Sequence, residues 1–88
     1  MPVQVTLKFT TDLKHVRVED VATGNPCQDE KKQVYSDKDV SKGENPTFTV
    51  RKNGEVAKIY VRGTYHDKDE SVSNTFPLYN FKNSEEFP

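Results

Sequence analysis

PTFTVRKNGEVAKIYVR, residues 46–62, is the stretch whose reading decides the fold. Asn53-Gly54 stands between two runs in which apolar and polar residues alternate. A two-residue type I′ turn needs positive φ at both central positions, and Asn and Gly reach that region at least cost. Pairing outward from the turn predicts a hairpin with Lys52 opposite Glu55, Val50 opposite Ala57 and Phe48 opposite Ile59. Opposed residues share a face, so Phe48, Val50, Ala57, Ile59 and Val61 form one apolar surface. The other face carries Thr47, Thr49, Arg51, Val56, Lys58, Tyr60 and Arg62.

The composition agrees with strands. Two Ala, three Leu and one Ile stand against eleven Val, with five Phe and four Tyr. Ala and Leu carry most helices, whereas β-branched and aromatic residues fit a pleated surface. Leu, Ile, Val and Phe together are 20 of 88 residues, so the core is thin; a net charge of −1 opposes disorder. A chain of this length makes one domain, expected over residues 1–82, with 83–88 as a frayed tail unless Phe87 packs back onto the domain. The charge balance gives no bulk electrostatic case for nucleic acid or anionic membrane. No apolar run is long enough to span a bilayer. Cys27 is alone and forms no intrachain disulfide, which tilts the expectation towards a reducing, cytoplasmic setting; a processed secreted form stays open.

Working outward from the hairpin, residues 3–9 alternate, with Val3, Val5, Leu7 and Phe9 on one face. Val16 and Val18 form a second inward set, with His15, Arg17 and Glu19 outward. Two arrangements fit: a direct hairpin that sets Leu7 beside Val16 and Val5 beside Val18, or two strands of different sheets joined by an arch. Asn25-Pro26, the acids Asp29 and Glu30 and the bases Lys31 and Lys32 predict a short helix near residues 26–34 running into a brief strand. Residues 36–45 read as a polar loop, and residues 71–81 as a closing strand that Pro77 assigns to an edge or bulge. The fold class is all-β: a small antiparallel β-sandwich or open Greek-key barrel of five to seven short strands.

Two features invite a function. Tyr35-Ser36-Asp37-Lys38-Asp39-Val40-Ser41 recurs as Tyr65-His66-Asp67-Lys68-Asp69-Glu70-Ser71. In a loop, Asp37, Asp39 and Ser41, or Asp67, Asp69 and Ser71, would offer the hard oxygen atoms that Ca²⁺ takes. The alternative reading is two solvated loops, since each copy places a lysine between its carboxylates and the first fails the EF-hand pattern at Lys42 and Phe48. The second feature is the outer hairpin face, where Arg51, Lys58 and Arg62 flank Tyr60 and no acid intervenes, a pattern suited to an anionic ligand.

Catalysis has less to work with. A ribonuclease-like hydrolase using His66 with Tyr60 and Arg62 is the competing expectation. The first expectation is a non-catalytic binding or interaction module. Its partner would be protein or carbohydrate sooner than nucleic acid, with self-association through an exposed strand edge as a further option. None of the motifs that mark a known family can be laid on the chain residue by residue.

Overall fold

The structure, a computed structural model, describes residues 3–23, 29–51, 56–81 and 85–88. Among these residues seven strands follow one another: β1 (Val3–Phe9), β2 (Leu13–Thr23), β3 (Asp29–Val40), β4 (Thr47–Val50), β5 (Lys58–Tyr65), β6 (Ser71–Pro77) and β7 (Glu85–Phe87). A 3₁₀ turn, Leu78–Asn80, follows β6. They build two sheets, one ordered β4-β1-β7 and the other β3-β2-β5-β6. The protein is a small β-sandwich, antiparallel except where β7 runs parallel to β1.

The predicted hairpin is the main correction. β4 pairs with β1, and β5 pairs with β2 and β6, so the two halves of residues 46–62 lie in different sheets. The Asn53-Gly54 turn lies outside the described residues. The inward set survives in part: Phe48, Val50, Ile59 and Val61 are buried, but Ala57, expected inward, is exposed, and Val56, expected on the outer face, is buried in the core. Ala57 is held by its backbone, donating to the Val21 carbonyl at 2.8 Å and accepting from the Leu78 N–H at 3.1 Å. An alternating apolar face looks the same in sequence whether two strands lie side by side or face each other across a core.

Of the two arrangements for the first strands, the arch is the one adopted. Leu7 and Val16 belong to one core but come from opposite sheets. Residues 29–34 are strand, and so are residues 36–40, where a helix and a polar loop were expected; residues 24–28, with Cys27, lie outside the described residues. Pairing along the length of β2 outweighs the capping chemistry there, because β3 gains a ladder from Leu13↔Val40 to Thr23↔Asp29. Exposed Lys31, Lys32 and Lys38 lie on this edge strand, the residue type that blunts edge pairing. Residues 85–87 are also no frayed tail. Phe87 is fully buried and meets the Phe9 ring edge-on at 6.1 Å.

Among the described residues, one glycine answers to a backbone conformation and another to a close approach. Gly43 turns the chain from β3 towards β4 at φ +91°, a left-handed conformation, while its N–H donates to the Phe9 carbonyl at 2.7 Å. Gly63 lies under the core, where an added Cβ would meet Leu13 Cδ1 and Val16 Cγ2 at 3.2 Å each. At the far end of the sandwich the buried carboxylate of Asp20 accepts from Arg51 Nη2 at 2.7 Å, Arg51 Nε at 3.0 Å and the Arg51 backbone N–H at 3.1 Å. Arg51 also donates to Glu30 Oε1 at 2.9 Å, so one guanidinium ties β2 and β3 to the end of β4. Hydrogen bonding to Asp20 raises the Arg51 pKa further above its ordinary value, outweighing burial, which lowers it.

Candidate anion-binding face

The exposed face of the β3-β2-β5-β6 sheet is set by pairing that the sequence did not disclose. Register places Arg17 opposite Arg62, Glu19 opposite Tyr60 and Val21 opposite Lys58. On the far side of β5, Ser71 pairs with Thr64, Ser73 with Arg62 and Thr75 with Tyr60. The face therefore carries cations down its middle and a column of hydroxyls along the β6 edge. Like charges directly opposite each other in a sheet are destabilising. Among the described residues neither Arg17 nor Arg62 has an ion-pair partner.

Two clefts lined by described residues open on this face. The larger, about 380 Å³, is lined by His15, Arg17, Asp37, Arg62 and Thr64. The smaller, about 150 Å³, is lined by Val21, Lys31, Lys58, Tyr60 and Thr75. Tyr60 is half-buried between the two cationic groups. His15 is the extra residue of a β-bulge: pairing of β2 slips between Leu13 and Val16 on the β3 side and between Lys14 and Arg17 on the β5 side. His15 at φ +55° and Asp37 at φ +52° are both left-handed, and neither is glycine. Across the strands, His15 Nδ1 stands 2.6 Å from Asp37 Oδ1. Such conformations are costly and gather at functional sites.

The predicted residues are divided rather than united. Lys58, Tyr60 and Arg62 share the exposed face as expected. Arg51 does not belong with them, since it closes on Asp20 beside the other sheet, and Glu19 puts an acid where none was expected. Arg17 and His15 are the members that the sequence reading passed over. Their signal existed only in the β2–β5 register.

The repeated Y-x-D-K-D-x-S has a common structural role instead of a common loop. Its first copy lies mostly in β3, and its second spans the turn from β5 to β6. In each copy the lysine sits over the tyrosine ring three residues earlier: Lys38 over Tyr35 at 5.4 Å and Lys68 over Tyr65 at 4.7 Å. Asp37 is engaged by His15, whereas Asp39 and Ser41 line a separate cleft of about 350 Å³ with Asp12, Val40 and His66. Asp67, Asp69 and Ser71 are exposed. Among the described residues no group of three or more His, Cys, Asp or Glu stands together to hold a metal ion. His66 opens onto that separate cleft, while Tyr60 and Arg62 line the clefts of the cationic face.

Comparison with protein-family models, curated proteins and solved structures gave no match for this chain. No helix among the described residues is long and apolar enough to cross a membrane.

Proposed function

We propose that this protein is a non-catalytic β-sandwich module that binds an anionic partner on the exposed face of its four-stranded sheet. The observation that carries this reading is Arg17 opposite Arg62 with no ion-pair partner for either among the described residues. A stability-driven sequence would avoid two guanidinium groups face to face, so an anion that bridges them is the natural complement. The row of Lys58 lies four residues from that of Arg62, a separation of about 13 Å along β5. Tyr60 lies between the two rows and offers a ring to stack on.

The partner class favoured is an acidic carbohydrate. The hydroxyl-bearing residues Ser71, Ser73 and Thr75 along the β6 edge, Thr75 opposite Tyr60, suit sugar hydroxyls, and a single aromatic residue is a poor platform for successive nucleic-acid bases. Titration of the ¹⁵N-labelled protein with a sulfated oligosaccharide tests this. Amide shifts concentrated on residues 15–21, 58–64 and 71–75 are expected. Shifts confined to β4, β1 or β7 contradict the reading.

A further inference from the structure

We infer that the His15–Arg17–Arg62 cleft is a proton-coupled site for a tetrahedral dianion, such as the phosphate monoester end of a ligand. This rests on the anion-binding reading of the face and deepens it. The charged groups facing His15 are Arg17 on its own strand, Asp37 from β3 and Arg62 from β5, with the Thr64 hydroxyl completing the lining.

The Asp37 carboxylate accepts a hydrogen bond, so at 2.6 Å the Nδ1 of His15 is the donor. In the neutral ring, Nε2 then carries a lone pair, which an anion avoids. Adding a proton turns Nε2 into a donor and offsets the Asp37 charge. Formal charge in the cleft goes from +1 (two arginines, one carboxylate) to +2 (the same with imidazolium). The second value matches a dianion. The left-handed bulges at positions 15 and 37 hold the two side chains together beside the arginines. Isolated pairs this exposed have little value for stability, which leaves the strain without a structural return.

Inorganic sulfate is the probe because it stays a dianion from pH 5.5 to 8, so any pH response belongs to the protein. At constant ionic strength, sulfate is expected to bind about tenfold more tightly at pH 5.5 than at pH 8, the effect of one added charge-assisted hydrogen bond. His15→Asn, which suits a left-handed backbone, is expected to abolish the response, and His66→Asn to keep it. Hexose phosphate binding better than hexose sulfate at pH 7 assigns the dianion to a phosphomonoester, and the reverse order overturns that class. Sulfate binding that ignores pH, or a response that survives His15→Asn, overturns the inference. If sulfated oligosaccharide still binds in that case, the wider reading of the face stands; if neither ligand binds, both fail.

Discussion

Arg51 closes on the fully buried carboxylate of Asp20 from the opposite sheet, with Nη2 and Nε both on Oδ1. Removing the cation alone leaves a buried charge without compensation. Arg51→Ala is expected to lower unfolding free energy by about 3–5 kcal/mol in urea melts. The double variant Asp20→Leu/Arg51→Leu is expected to recover much of that loss, because it removes the stranded charge as well. A double variant no more stable than Arg51→Ala would deny the clamp its electrostatic basis.

Gly63 tests the packing of the sheet that carries the candidate site. An added methyl must push back Leu13 and Val16, both fully buried. Gly63→Ala is expected to cost about 1–3 kcal/mol by chemical denaturation. An unchanged midpoint would mean that β5 and β2 lie further apart under the bulge.

β7 makes its own prediction. Phe87 packs into the core against Phe9, so Phe87→Ala is expected to cost about 3–5 kcal/mol, seen as a large fall in Tm. A variant with the parent's Tm would return residues 85–88 to the status of a tail.

Tyr35 gives a pH dependence. Burial, then the nearby Glu44 charge, raises its phenol pKa above 10.0. The folded state therefore holds this proton more tightly than the unfolded chain. That contribution is complete below pH of about 10 and is lost as pH rises through the raised folded value. Tyr35→Phe removes the ionisation, so its stability is expected to fall less steeply than the parent's between pH 9 and 11. Parallel curves would contradict the assignment.

Which residues face inward was largely legible: Val5, Leu7, Phe9, Val16, Val18, Phe48, Val50, Ile59 and Val61 are buried as the alternation requires. Which strand lies beside which was not. The Asn53-Gly54 signal is local, whereas pairing is decided by what fills the space across the core. β4 found β1, where Thr6 and Thr47 hydroxyls meet at 3.0 Å, and β5 found β2. The helix expectation failed because capping residues act within one turn, while β3 gains ladder bonds along β2. The site suffered from the same gap. Arg62 was visible on its strand, but Arg17 and His15 join it only through a register that includes a bulge. Arg51 was placed on the face by a hairpin that does not form.

Arg62→Glu sets binding and stability against each other more directly than any other change. An acid opposite Arg17 replaces a like-charge pair with an opposite-charge pair, so Tm is expected to equal or exceed the parent's. The same change removes one arm of the anion grip. The decisive measurement is the affinity of a sulfated oligosaccharide for parent and Arg62→Glu at one ionic strength, with Tm recorded on the same samples. A loss of affinity of about tenfold or more, one charge-assisted contact, with Tm undiminished, is the predicted result. Equal affinity in the two proteins would contradict the claim that this face binds anions.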